Sequence, residues 1–190
     1  MNEEGKIKMN KILKLFLYII GLSFIVIATY MIIRINHKYP EKQVEYISLG
    51  ETEFVEEDIK MTVMSCNWAN QDEIIGKYGI TSEVGDDINS KTALVSVDLE
   101  NTTQSSKIMK LYNIYIEKNG YCNGLSPELY GLYNNKNMEL EMDPGESTTV
   151  ILTYTVYEIQ FSRAQWDELE KQEFYLANQR YPVKQYWNIW

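Results

Sequence analysis

The sequence predicts a mainly β chain: an antiparallel β-sandwich with one short helix, carried behind a single N-terminal transmembrane helix. Three observations carry this prediction. Leu15–Ile33 is an uncharged apolar run. The remainder breaks into short segments of period-two alternation separated by turn residues. Those segments are rich in aromatic and β-branched residues, which suit a pleated, half-buried surface.

The apolar run comes first. Its nineteen residues, wound as a helix, span about 28 Å, close to the hydrocarbon thickness of a bilayer. A helix satisfies every backbone polar group internally, as lipid demands. Tyr18 and Tyr30 lie near its ends, where amphipathic rings favour the interface. Lys6, Lys8, Lys11 and Lys14 precede it; Arg34, Lys38 and Lys42 follow. The positive-inside rule therefore sets the N-terminus inside and the rest of the chain outside. Val26-Ile27-Ala28 offers a small-residue triplet for signal-peptide cleavage, but apolar residues continue to Ile33. A lipobox needs a cysteine directly after the run, and the first is Cys66. The expected organisation is a basic cytoplasmic tail over 1–14, an anchor over 12–34, a stalk over 35–54 and a sandwich ectodomain over 55–190.

The strands follow in order. Ile59–Trp68 is the first. Residues 70–90 hold Gly76, Gly79 and Gly85 and read mainly as loop, with a short extended piece around Tyr78. In Thr92–Asn101, Ala93, Val95, Val97 and Leu99 share one face. Ile108–Glu117 places Tyr112, Ile114 and Ile116 together, and Asn119-Gly120 signals a hairpin. Met138–Met142 leads to the turn Asp143-Pro144-Gly145-Glu146. Thr148–Glu158 then aligns Val150, Leu152, Tyr154 and Val156. Ser162 and Gln165 form a capping box that opens a helix running to Lys171. Phe174–Leu176 and Val183–Trp190 close the sheet.

Composition excludes several classes. Residues 43–190 hold 11 Lys and Arg against 24 Asp and Glu, a net charge of −13. Such a surface repels phosphate backbones, so nucleic acid is not expected as a partner. His37 is the only histidine and adjoins the anchor, which removes Ser–His and Cys–His mechanisms from the domain. Zinc-ligand spacings, phosphate-cradling glycine loops and a nucleophile elbow are all missing. Carboxylates are plentiful, yet none is singled out as a catalytic pair. No catalytic residue, metal ligand or cofactor is assigned, and the chain is not expected to be an enzyme. Gly85-Asp86-Asp87-Ile88-Asn89 and Glu56-Glu57-Asp58 offer hard oxygens without EF-hand spacing, and Met138 with Met142 lacks a histidine partner for copper. Asn101-Thr102-Thr103 matches a glycosylation sequon but is read as a turn.

Two features remain as candidate sites. Cys66 and Cys122 can pair as a disulfide outside the membrane or stay as thiols. The terminal segment puts Trp187 on one face and Tyr186 and Trp190 on the other. If it ends as an edge strand, Trp187, Trp190 and Tyr186 are candidates for capturing a partner.

Several segments together resemble a family. The strand Ala93–Thr102 is followed by a Thr/Ser-rich loop, then Met142-Asp143-Pro144-Gly145-Glu146-Ser147 opens the strand Thr149–Tyr157, and Tyr181-Pro182-Val183-Lys184 comes late. This is similar to bacterial immunoglobulin-like domains of unknown function on membrane-anchored or lipoprotein-type proteins of Gram-positive bacteria, whose fold is similar to a secreted mycobacterial antigen. The resemblance covers roughly residues 55–190. It implies an immunoglobulin-like sandwich on the extracytoplasmic side of the cell membrane, and no reaction. The expected role is an uncharacterised membrane-anchored binding or interaction module, with an envelope protein or adjacent membrane complex as partner. The alternatives are an immunity-type or structural envelope protein meeting cationic peptides, and then an envelope hydrolase.

Overall fold

The computed structural model describes residues 3–41, 43–78, 89–178 and 182–190. The chain divides into two compact units, Met1–Lys42 and Gln43–Trp190.

The first unit is one helix, α1 (Glu3–Lys38). Its segment Leu13–Lys38 is long and apolar enough to cross a membrane, and none of it is buried within the protein. The hydroxyl of Ser23 donates back to the carbonyl of Ile19 at 2.9 Å, so this polar group is satisfied inside the helix.

The second unit is the expected sandwich. Among the described residues its strands are β1 (Gln43–Ile47), β2 (Thr52–Glu56), β3 (Ile59–Asn70), β4 (Ser90–Asn101), β5 (Lys107–Lys110), β6 (Ile114–Lys118), β7 (Tyr121–Asn123), β8 (Glu139–Met142), β9 (Ser147–Tyr157), β10 (Tyr175–Asn178) and β11 (Val183–Asn188). One sheet has the order β1-β11-β10-β6-β7 and the other β2-β3-β4-β9; β5 and β8 form a two-stranded ribbon. The pairing is antiparallel except between β1 and β11, which run parallel.

The core lies between the sheets. Register aligns Val63, Val97 and Val150 in one row and Cys66, Val95 and Leu152 in another. Two buried side chains tie the layers: the Tyr154 hydroxyl donates to the Ile114 carbonyl at 3.1 Å, and the Asn178 amide donates to the Val55 carbonyl at 2.5 Å. In β3 the alternation changes phase. Ile59, Met61 and Val63 point inward, a bulge falls between Val63 and Ser65, and Cys66 and Trp68 then take the inward positions. Met64, at the bulge, is half exposed.

Several elements differ from the sequence expectation. The stalk expected over 35–54 is split: α1 continues to Lys38, and the compact unit begins at Gln43 with β1 and β2. Ile47 and Val55 are buried there, which draws both segments into the core. The single strand expected over Ile108–Glu117 is two strands in different sheets, separated by a 3₁₀ turn at Leu111–Asn113. The turn is needed because the buried positions switch from Met109 and Leu111 to Ile114 and Ile116. Tyr112 therefore leaves its expected face and donates to Glu139 at 3.1 Å instead.

Among the described residues of this unit, three short helices stand where one is expected: α2 (Gln71–Tyr78), α3 (Pro127–Asn134) and α4 (Arg163–Asp167). The predicted capping box at Ser162 and Gln165 is formed. However, α4 stops at Asp167, and a 3₁₀ turn at Leu169–Lys171 then buries Leu169. Tyr78 closes α2 rather than forming an extended piece. The calcium-loop reading of residues 85–88 falls outside the described residues. Both predicted turns appear: Gly120 and Gly145 adopt positive φ, and Glu146 donates to Asp143 across the second at 3.0 Å.

The end of β4 is organised by one buried side chain. The Asn101 amide donates to the carbonyls of Ser105, Met142 and Asp143, while its oxygen accepts from the backbone and hydroxyl of Thr103. The expected turn is formed here, with the Asn101 side chain fully buried. Removing that amide strands several buried polar groups at once. Asn101→Ala should lower stability by about 2–3 kcal/mol in chemical unfolding.

Candidate functional site

The side chains expected to bind separate sharply. β11 is an interior strand, between β1 and β10, rather than an edge. Trp187 pairs with Ile47 and Leu176 and is fully buried. It is a core residue, which removes it from any binding surface. Trp190 stacks on Trp68 with centroids 6.4 Å apart and stays partly exposed. Tyr186 points the other way, to the outer face of the five-stranded sheet.

That outer face is built by register. The parallel pairing sets Tyr46 beside Tyr186, and the antiparallel pairings set Ala177 between Tyr186 and Tyr115, and Tyr175 beside Glu117. Alternation turns all of these outward. Tyr46 and Tyr186 stack with centroids 5.6 Å apart; Tyr175 meets them at 5.7 and 5.5 Å. Glu117 sits below the rings with 7% of its surface exposed. It accepts from Lys184 at 2.5 Å and from the Tyr186 hydroxyl at 2.8 Å. Lys184 also lies 4.7 Å from the Tyr186 ring centre. The result is a concavity of about 920 Å³ lined by Tyr46, Glu117, Asn119, Gln172, Tyr175 and Tyr186.

The electrostatics follow from the contacts. Burial alone raises the Glu117 pKa, but hydrogen bonds from Lys184 and Tyr186 and the lysine charge outweigh it and hold the carboxyl below its usual range. Lys184 moves the opposite way: burial lowers its pKa, the bonds to Glu117 and Tyr186 outweigh that, and the net is upward. Burial and the neighbouring carboxylate raise the Tyr186 hydroxyl. At neutral pH the site is a closed ion pair under an aromatic surface. Neither Glu117 nor Lys184 is thereby free to act as a base or nucleophile.

The cysteines do not pair. Both are free thiols, Cys66 in β3 and Cys122 in β7, which belong to different sheets. Burial pushes Cys66 up to about 12. Burial and the Glu117 charge raise Cys122, whose sulfur donates to Glu117 at 3.7 Å. Neither is an activated thiolate. Among the described residues, no three His, Cys, Asp or Glu side chains converge to hold a metal ion. Asp58 is engaged with Lys107 in an ion pair. Met142 is a core residue and Met138 packs against the core.

Sequence reasoning missed Tyr46 and Tyr175 as partners of Tyr186. Tyr46 lies in the expected stalk, and the pairing of β1 with β11 joins residues some 140 positions apart. The available signal was the alternation Val44-Tyr46 beside Ile47.

Fold and site together define a β-sandwich domain with an aromatic outer face and no assembled catalytic group among the described residues. The chain belongs to the family described as a domain of unknown function, DUF5028, whose model matches residues 41–185. The match takes in β1 and so agrees with a globular unit that starts ahead of residue 55. The solved structures similar to this chain include three of uncharacterised proteins. An uncharacterized beta-sandwich protein from Clostridium difficile 630 is 12% identical, with a TM-score of 0.44 over 79% of this chain and 97% of its own. A functionally unknown protein from Listeria monocytogenes EGD-e is 13% identical, with a TM-score of 0.42 over 67% of this chain and 70% of its own. The yjhA protein from Bacillus subtilis is 14% identical, with a TM-score of 0.45 over 75% of this chain and 98% of its own. No curated protein matches the sequence.

Two outcomes check the assignments. Trp187→Ala should cost about 3–5 kcal/mol in unfolding experiments, as a large core truncation does. For Glu117, the folded pKa lies below the unfolded value of about 4.3. Its stabilisation is therefore complete above that value and lost as pH falls through the folded pKa. Glu117→Gln should cost about 2 kcal/mol at pH 7 and progressively less as melts are taken down to pH 3.

Proposed function

We propose that this protein is a non-catalytic binding module, anchored in a bacterial cell membrane by α1, with its sandwich on the extracytoplasmic side. The observation that carries the reading is the outer face of the five-stranded sheet. There, Tyr46, Tyr175 and Tyr186 gather on a rigid strand platform and are held by a buried ion pair. Large aromatic rings supply contact area at low entropic cost, which favours recognition. Its most buried charges, Glu117 and Lys184, are paired with each other, which favours a binding surface over chemistry. The apolar helix supports the anchor, and the charge bias around it supports an inside N-terminus. A Gram-positive source rests on the sequence resemblance. The partner proposed is an envelope protein or a neighbouring membrane complex. A second reading, an immunity-type or structural protein facing cationic peptides, is favoured by the charge of −13 on residues 43–190.

Two measurements test this. Protease added to spheroplasts should degrade the sandwich and leave α1 protected; full protection of the sandwich contradicts the topology. In-cell crosslinking of the full chain should capture a defined partner. The double variant Tyr175→Ala/Tyr186→Ala should lose that partner while Trp190→Ala keeps it. Capture that survives the tyrosine variant removes this face as the binding surface.

A further inference from the structure

The four edges of the two larger sheets are treated differently. The outer edge of β9 is closed by side chains. The Asn134 amide both accepts from and donates to the Ile151 backbone, at 2.7 and 2.9 Å. The Ser126 backbone donates to the Thr153 carbonyl at 2.8 Å, its hydroxyl accepts from Thr155 at 3.1 Å, and Asn123 donates to the Thr155 carbonyl at 2.6 Å. β7 is only three residues long. β2 is irregular between Phe54 and Glu56 and carries carboxylates at Glu53 and Glu56. The remaining edge is β1, five residues in unbroken register with β11.

The open groups on β1 are identifiable. The Gln43 N–H donates to the Pro182 carbonyl at 2.9 Å, so Gln43, Glu45 and Ile47 face β11. The N–H and C=O of Val44 and Tyr46 therefore point away from the sheet. Among the described residues β1 has no neighbour on that side. Both side chains are largely exposed, Val44 at 49% and Tyr46 at 67%, and both lie on the tyrosine face.

We infer that β1 accepts an extended cationic peptide segment as an added strand. The peptide backbone bonds to Val44 and Tyr46, and its lysine or arginine side chains lie on the Tyr46–Tyr175–Tyr186 surface. This rests on the binding reading above and names the chemistry of the partner. Strand addition uses main-chain groups for affinity and alternate side chains for selection. Selection here is for positive charge. Residues 43–190 carry −13, Lys184 is already neutralised by Glu117, and Glu173 adjoins Tyr175, whose hydroxyl donates to it at 3.3 Å. Tyrosine faces attract ammonium and guanidinium groups through the ring quadrupole.

The test titrates the full chain, in nanodiscs of neutral phosphatidylcholine, with an acetylated hexapeptide alternating lysine and valine. Controls are the glutamate–valine peptide and an N-methylated lysine–valine peptide that lacks strand donors. The lysine peptide should bind at least about tenfold more tightly than either control, a gap of about 1.4 kcal/mol. Val44→Pro removes one outward donor and no internal bond; it and Tyr46→Ala should each weaken binding by about tenfold. Near-native melting confirms that both variants fold, and Val44→Thr, which keeps the donor, should bind as wild type. Equal binding of both charge types overturns the inference. Binding lost in Tyr175→Ala/Tyr186→Ala but unchanged in Val44→Pro keeps the aromatic face and overturns strand addition. Binding indifferent to all variants removes both. Sedimentation showing a dimer that Val44→Pro dissociates assigns the edge to a second copy and overturns the peptide.

Discussion

The pairing of β4 with β3 on one side and β9 on the other carries the sandwich. It places Ala93, Val95, Val97 and Leu99 at the centre of a sheet, Val97 between buried Val63 and Val150 and the others each beside one buried partner, Tyr154, Leu152 and Met61. A one-residue slip in either ladder turns an apolar row into solvent and a threonine row into the core. Everything else is arranged around keeping that phase. The bulge in β3 adds one residue so that Cys66 and Trp68 continue the inward row after Val63. The Asn101 amide stops β4 cleanly and pins the approach to β9.

How much of this was legible follows from the range of the interactions. Local signals worked. The capping box at Ser162 and Gln165 involves neighbours three apart, and the turns at Gly120 and Gly145 depend on a few residues each. Strong alternation in β4 and β9 marked their faces. The failures were long-range or mixed in phase. β1 is short, polar at Gln43 and Glu45, and becomes a strand only by pairing with β11. The break at Leu111–Asn113 sits inside a continuous β-prone stretch, and only the two sheets on either side demand it. α3 was overlooked although Ser126-Pro127 opens it and Asn135, at positive φ, closes it. α2 was hidden by Gly76. Of the aromatic face, only Tyr186 was foreseen, and Trp187 was placed on a surface that the core claims.

The outer face also explains how a charged pair is held largely out of solvent. Glu117 and Lys184 lie on neighbouring parts of one sheet face, partly roofed by tyrosines. Such a pair costs desolvation and returns most of it only when its remaining lone pairs and protons are used. Here one carboxylate oxygen serves Lys184 and Tyr186 together. The bond fixes the Tyr186 ring, and Tyr186 in turn stacks Tyr46. Electrostatics and aromatic contact thus set one another's geometry.

The closure of β9 has a wider meaning for the size of the sheet. A carboxamide reproduces the donor and acceptor of a peptide unit, so Asn134 acts as a one-residue counterfeit strand against Ile151. It occupies the place that a neighbouring molecule would need in order to continue the ladder. An acid at that position keeps the shape and loses the donor. The boundary between a discrete globule and a growing fibre therefore rests, on that flank, partly on the nitrogen of a single side chain.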